Sequence, residues 1–445
     1  MVNWKALGAQ RRLLREGAWA MSGQVVAALA GVAGVRVLTE LAPLAVFGAA
    51  NLLVGAVSLG RNVVIAPLYN AQLRFHPRFS ERGQSAWAAR YFAWRAWIAT
   101  GISAAAGTLL YLLAAACCSS LRIDWVTFLG LLMFLGADTG RTLATNRLNA
   151  ERRQARLAVW VGLEGCLVIA APSVLLCLWP TTASMIWGQA LGVATTAVVL
   201  GVLSRGKPQG GDERRNPSET LGLTKEVWHY GLPFAPMGLV GWIATIGDRY
   251  VLGGVQGVGE VGHYAAVSGV GSRPINFLGT LLNTIMRPVL FSAESSNDKA
   301  KAHRVFVGWV LLTTVAGAVL TLTMVLFGSA ISRVLFAPAY REGSGRLLAW
   351  VALAYSLTAV TQVFENRLYS VGRSAVVLIP QLVGTVASVG FAIILIGLSG
   401  TVGAAEGKAA AFCLQCVATA FFALGVRRRK VSMEGQTANS AGGKP

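Results

Sequence analysis

The chain has 445 residues, of which 54% are hydrophobic and only 13% charged, and its mean hydropathy is +0.57. A soluble chain carries about 25% charged residues, so this composition excludes an ordinary soluble enzyme, and its apolar content excludes disorder. The 39 Lys+Arg against 19 Asp+Glu give a net charge of +20, which in a soluble protein would suggest nucleic acid but in a membrane chain must first be sorted by side.

A spanning helix needs about 20 apolar residues. Runs of that kind are predicted at 17–38, 44–66, 95–117, 125–145, 157–179, 183–204, 231–250, 262–285, 305–327, 347–365, 375–397 and 402–425. Arg11, Arg12 and Arg15 before the first run give it the look of a signal peptide, but it continues to Arg36 and a second span, so it reads as an uncleaved first helix. When the connections are assigned to alternating sides, 30 of the 39 basic residues share the side of the two termini, including Arg427, Arg428, Arg429 and Lys430. The positive-inside rule then makes both termini cytoplasmic, and no nucleic-acid site is expected. The polar stretch 205–230 splits the spans six and six. The predicted organisation is a cytoplasmic N-terminus (1–16), an N-lobe (17–204), a cytoplasmic inter-lobe loop (205–230), a C-lobe (231–426) and a disordered cytoplasmic tail (427–445).

The chain repeats itself. Phe47-Gly48-Ala49 is echoed by Val261-Gly262-His263-Tyr264-Ala265, Arg36 by Arg249, Arg61 by Arg273, Pro67 by Pro288, and Asn146-Arg147-Leu148 by Asn366-Arg367-Leu368, at offsets of 212 to 221 residues. Six spans is an even number, so the copies share one orientation. The fold class is therefore predicted as an all-α polytopic membrane protein, with twelve transmembrane helices in two six-helix lobes related by a parallel repeat and a cleft between them.

The runs Tyr230-Gly231-Leu232-Pro233, Gly247-Asp248-Arg249-Tyr250-Val251-Leu252 and Val261-Gly262-His263-Tyr264-Ala265, with Arg36-Val37-Leu38-Thr39 and Phe47-Gly48, resemble the polysaccharide transporter family. That family, which includes the O-antigen flippases, lies within the multidrug/oligosaccharidyl-lipid/polysaccharide exporter superfamily. The resemblance implies two lobes in a V, alternating access, and a polyprenyl-diphosphate-linked oligosaccharide as cargo at the inner membrane. A polysaccharide polymerase and a chain-length regulator are candidate partners. Lipid II flippases of the same superfamily typically have fourteen helices, which twelve spans disfavour.

Charges inside spans are expensive and point to function. Arg273 sits near the middle of span eight within Gly269-Val270-Gly271-Ser272-Arg273-Pro274, where Gly269, Gly271 and Pro274 are predicted to break the helix. Arg61 holds the matching place in span two. The pair is predicted to bracket the cargo diphosphate with two guanidinium forks; the alternatives are a kink with Arg273 held by carbonyls or a carboxylate, and an Arg61 that snorkels inward. Asp248 and Arg249, with Arg36 and Glu40 at the matching place in the first lobe, are candidates for an outer gate or for simple interfacial ion pairs. Asp138 and Arg141 suit a pair on one helix face. Glu164 has no basic neighbour at helical spacing, so it is the candidate for ion coupling or else a hydrogen-bonded neutral acid.

No catalytic constellation, cofactor or metal site is expected. Cys413-Leu-Gln-Cys416 has redox spacing, but it lies in an apolar helix without partner histidines and reads, like Cys117, Cys118, Cys166 and Cys177, as packing. No phosphate-binding loop occurs. Trp87, Trp94, Trp97, Trp125, Trp179 and Trp187 cluster near span ends as interfacial anchors. The rival functions are a multidrug or small-cation exporter of the same superfamily, which should keep acidic residues in its cleft, and a polytopic polymerase or glycosyltransferase, which needs a longer outer loop than 328–346.

Overall fold

The computed structural model describes residues 4–81, 84–117, 123–151, 153–203 and 217–425. The expected tail at 427–445 and the first half of the expected inter-lobe loop lie outside them, as do Cys118 and the side chains of Arg11, Arg12, Arg15, His76 and Cys117. Among the described residues every regular element is helical. The N-lobe consists of α1 (Trp4–Leu41), α2 (Leu44–Gly60) running through a π-helical turn at Arg61–Ile65 into α3 (Ala66–Glu81), α4 (Ser85–Cys117), α5 (Trp125–Ala150), α6 (Gln154–Leu178) and α7 (Thr182–Leu203). The C-lobe consists of α9 (Phe234–Gln256), α10 (Val258–Ser295), α11 (Lys299–Leu335), α12 (Ser344–Ser370) and α13 (Leu378–Leu424). Gly400, with φ 60° and ψ −134°, folds α13 back on itself, a turn open to glycine because it lacks a Cβ. With α2 and α3 counted as one span and α13 as two, each lobe has six.

Eight helical stretches are long and apolar enough to cross a membrane, with Ala375–Leu424 counted once. The long helices outside that set are α5, α9 and α10. These carry Asp138 and Arg141, Asp248 and Arg249, and Glu260, His263 and Arg273, so the charge that lowers their apolarity is the charge concentrated between and within the lobes. Asp124 caps α5 through the Thr127 amide (3.0 Å), and Asp298 caps α11 through that of Lys301 (2.9 Å).

Two features depart from the predicted elements. Pro217–Gly231, expected as loop, is a helix, α8; it buries Leu223 and Val227 against α3 and α4, with Tyr230 edge-on to Phe75. The expected break at Gly269, Gly271 and Pro274 is absent, because α10 is helical from Val258 to Ser295. Gly271 serves packing instead: a Cβ there would lie 2.9 Å from Val351. The irregular turn is in the other lobe, at Arg61–Ile65, two residues ahead of Pro67, where a π-turn absorbs a disturbed hydrogen-bond ladder.

The apolar cores show how the lobes join. One cluster spans both lobes, packing Val35, Leu38 and Phe47 with Val261, Tyr264 and Val267 at the end where α1 turns into α2. Towards the opposite end the core divides. Phe75, Phe79, Tyr91 and Phe92 form an N-lobe cluster, while Leu282, Leu290, Phe306 and Trp309 form a separate C-lobe one. The lobes thus share a core at the end where α1 turns into α2, the outer end of the expected topology, and their cores separate towards the other.

Candidate functional site: the cavity between the lobes

The contact that closes the outer end lies on the repeat's symmetry. A Cβ on Gly48 would stand 1.9 Å from the Val258 carbonyl oxygen, and one on Gly262 would stand 2.0 Å from that of Leu44. Each glycine therefore admits the backbone four residues before the other, and equivalent positions of the two copies touch at an offset of 214 residues. That register corrects the pairing of Arg61 with Arg273. At 214, Arg61 matches Ile275 and Arg273 matches Leu59. A two-residue slip turns a side chain by about 200° around its helix, so the two arginines project from unlike faces.

Their surroundings agree. Arg61 donates to Asp138 at 3.3 Å; Asp138, buried, also holds Arg141 at 2.5 Å; and Arg141 reaches Glu164 at 3.1 Å. These four N-lobe groups form a neutral chain. Glu164 is therefore not without a cation: its partner comes from α5 rather than from its own helix, which spacing within one helix could not reveal. Arg273 instead donates to the backbone carbonyl of Gly31 on α1. The Arg61–Arg273 bracket is not formed.

The central cavity, about 460 Å³, is bounded by α1, α2, α5, α6, α7, α9 and α10. Its charged lining consists of Arg141, Glu164, Arg249 and Arg273. Arg141 is neutralised as described. Among the described residues, Arg249 and Arg273 have no carboxylate within ion-pairing distance: Arg249 is held at 3.5 Å by the Asn51 side-chain oxygen, and its Nε is buried without a partner. Arg273 also borders a second hollow of about 400 Å³ towards the inner end, between Met21–Ala28 of α1 and Asn276–Thr284 of α10. It borders as well an apolar groove of about 210 Å³ lined by Val25, Leu29, Val32 and Phe277. One guanidinium thus stands where three spaces meet.

The four expected gate residues do not close on each other. Arg36 pairs with Glu40 on its own helix (2.9 Å) and reaches across to the Phe336 carbonyl (2.5 Å). Asp248 turns into the C-lobe, pairing with Lys408 at 3.0 Å and accepting the Tyr264 hydroxyl at 2.5 Å. The end where α1 turns into α2 is sealed by the segment between α11 and α12, which Arg36 joins through the Phe336 carbonyl. The Ala337 amide donates to the Thr39 hydroxyl (3.3 Å), the Tyr340 hydroxyl donates to the Ala42 carbonyl (2.8 Å), and Phe47 meets the Tyr340 ring edge-on at 6.1 Å. Most of these bonds use backbone groups, which carry no residue signature. Lys408 was legible only as one outer-side charge in the topology count, yet its side chain is 1% exposed.

Cys166, Cys177, Cys413 and Cys416 are free thiols, and the first three are exposed rather than packed. Trp94, Trp97, Trp125 and Trp179 are exposed, as anchors would be, whereas Trp187 donates to the Val126 carbonyl at 2.9 Å.

Solved structures share this arrangement across nearly the whole chain. The inward-facing conformation of a multidrug resistance MATE family transporter of the MOP superfamily matches with TM-score 0.65 at 15% identity, covering 95% of this chain and 96% of that one. The outward-facing conformation of a multidrug resistance MATE transporter matches at TM-score 0.61 and 16% identity, covering 93% and 94%. A MOP superfamily transporter from Pyrococcus furiosus, described by a reverse polarity of its binding pocket that suggests a different function, matches at TM-score 0.61 and 15% identity, covering 94% and 96%. No protein-family model matches the chain, and no curated protein matches it in sequence. At such identities the likeness establishes the fold alone: twelve helices in two lobes, as in the MATE transporters of the MOP superfamily that it resembles.

Proposed function

We propose that this protein is a multi-pass secondary transporter that moves an anionic amphiphile across its membrane by rocking two lobes about the central cavity. The observation that carries the reading is the pair Arg249 and Arg273, two guanidinium groups without carboxylate partners on the wall of a 460 Å³ cavity. Unpaired charge is expensive within a membrane, and a bidentate anion would offset it in the cavity. Such a volume is typical of small-molecule sites. Two of the three named fold neighbours are multidrug transporters, which supports a small amphiphile over an oligosaccharide-bearing lipid as cargo. The lipid-diphosphate-linked oligosaccharide remains the reading supported by the sequence resemblance and by the apolar groove beside Arg273. In both, the inner membrane with cytoplasmic termini follows from the charge count. Glu164 keeps its coupling role in altered form: an anion competing for Arg141 frees its carboxylate to take a proton.

The test is transport in proteoliposomes with three probes: farnesyl diphosphate, an undecaprenyl-diphosphate-linked sugar, and ethidium as a cationic drug. Movement of either diphosphate, abolished in Arg273→Ala at equal protein abundance, supports the reading and tells its two cargoes apart. Movement of ethidium alone, unchanged in Arg273→Ala, overturns it.

A further inference from the structure

Neighbouring residues on α9 carry opposite charges in different directions. Asp248 is 1% exposed and faces the C-lobe interior, held by Tyr264 of α10 and by Lys408 of the second arm of α13; Lys408 also donates to the Thr245 carbonyl at 2.9 Å. Arg249 faces the cavity and meets Asn51 of α2. Successive helical residues stand about 100° apart, so a bond that fixes the azimuth of Asp248 fixes that of Arg249. Trp242, seven residues earlier and on nearly the same face as Arg249, donates to the Gly55 carbonyl and the Ser58 hydroxyl of α2. One side of α9 thus looks across the lobes, while the other is tied by charge into its own lobe.

A buried ion pair is a poor source of stability, since apolar residues of similar volume often replace it at no loss. What charge and a short hydroxyl bond supply here is direction: Asp248 accepts from α10 and α13 at one angle of α9 only. We infer that Asp248, Lys408 and Tyr264 form a buried lock that sets the rotation of α9 and thereby aims Arg249 into the cavity. They are positioning residues, not cargo ligands. The inference rests on the reading that Arg249 meets an anion, and its test separates the two.

The measurement is equilibrium binding of tritiated farnesyl diphosphate to the full chain in nanodiscs, arranged as a double-mutant cycle. The neutral variant Asp248→Asn/Lys408→Met retains volume and leaves no buried charge unpaired, so it keeps the fold, whereas Lys408→Met alone strands the Asp248 carboxylate. It weakens binding about tenfold when Arg249 is present and has no further effect in Arg249→Ala, the non-additivity of groups acting through one another. Additive losses, or wild-type affinity in the neutral variant when Arg249→Ala itself weakens binding, overturn the lock. A second readout needs no cargo: cysteines replacing Asn51 and Arg249, bridged by a short bis-methanethiosulfonate and identified by mass spectrometry, link in the background of the intact pair and link less once 248 and 408 are neutralised. Unchanged linking overturns the lock. Reduced linking together with normal binding in Arg249→Ala keeps the lock and removes the anion reading.

Discussion

The two seams between the lobes are related by the repeat but differ in kind. Along one, α2 and its π-turn lie against α9. Trp242 and Tyr250, with rings 5.3 Å apart, both donate to α2 carbonyls, and a Cβ on Gly238 would stand 2.3 Å from the Asn62 carbonyl oxygen. Along the other, α1 faces α10 with Arg273 on the Gly31 carbonyl and, beyond it, an apolar groove and an open hollow. The closed seam is made of ring contacts and bonds to backbone. The other is packed only at its α1–α2 end, by Val35 and Leu38 on α10, and beyond that a single cation stands between spaces. The repeat thus carries two unlike joints, one packed by rings and backbone bonds and the other bordered by hollows.

Perturbations should divide along that line. The largest effect is expected at the point shared by both seams: Gly262→Leu drives a side chain into the Leu44 carbonyl, and should cost about 3 kcal/mol or more, as overpacking against a backbone that cannot move away. A loss of thermal stability in detergent, with outer-end cysteines becoming reactive, is the expected result. Lys408→Met leaves Asp248 buried and uncompensated, a loss of about 3–5 kcal/mol; thermal unfolding beside the neutral Asp248→Asn/Lys408→Met variant checks it, since the double variant should recover most of the loss. Trp242→Phe removes the donor but keeps a ring, and should cost about 1 kcal/mol on the closed seam while leaving farnesyl diphosphate affinity near wild type. Tyr340→Phe deletes the bond to the Ala42 carbonyl and should cost the same order, about 1 kcal/mol; its signature is a shift towards the outward-open state, read as faster labelling of an outer cavity cysteine. If Trp242→Phe weakens binding as much as the loss of Arg273, the two seams do not differ as described.

How far the sequence foretold this depends on the range of each interaction. Apolar runs and sided charge act over whole helices, so the twelve spans and the six-plus-six division were legible, and the echo of Gly48 at Gly262 found the symmetry itself. Short motifs leave the register open by a residue or two, and that slip is enough to turn Arg61 away from Arg273. Glu164 looked solitary because its cation, Arg141, comes from another helix and is invisible to i, i+4 spacing. The helix at Pro217–Gly231 was masked by its polar content, although Leu223, Val227 and Tyr230 recur at helical intervals. The seal at Phe336–Tyr340 works mostly through backbone groups, so of its parts only Arg36, which bonds the Phe336 carbonyl, was marked in the sequence.

The central claim is that the open seam leads to an anion site built from Arg249 and Arg273. The most direct measurement is calorimetric titration of farnesyl diphosphate into the protein in nanodiscs at two salt concentrations, repeated on Arg249→Ala and Arg273→Ala. The account predicts saturable binding that weakens with salt, falls about tenfold or more with either substitution, as for truncated partners of desolvated charge, and is not displaced by ethidium. Tight ethidium binding, with farnesyl diphosphate affinity indifferent to both arginines, would contradict it.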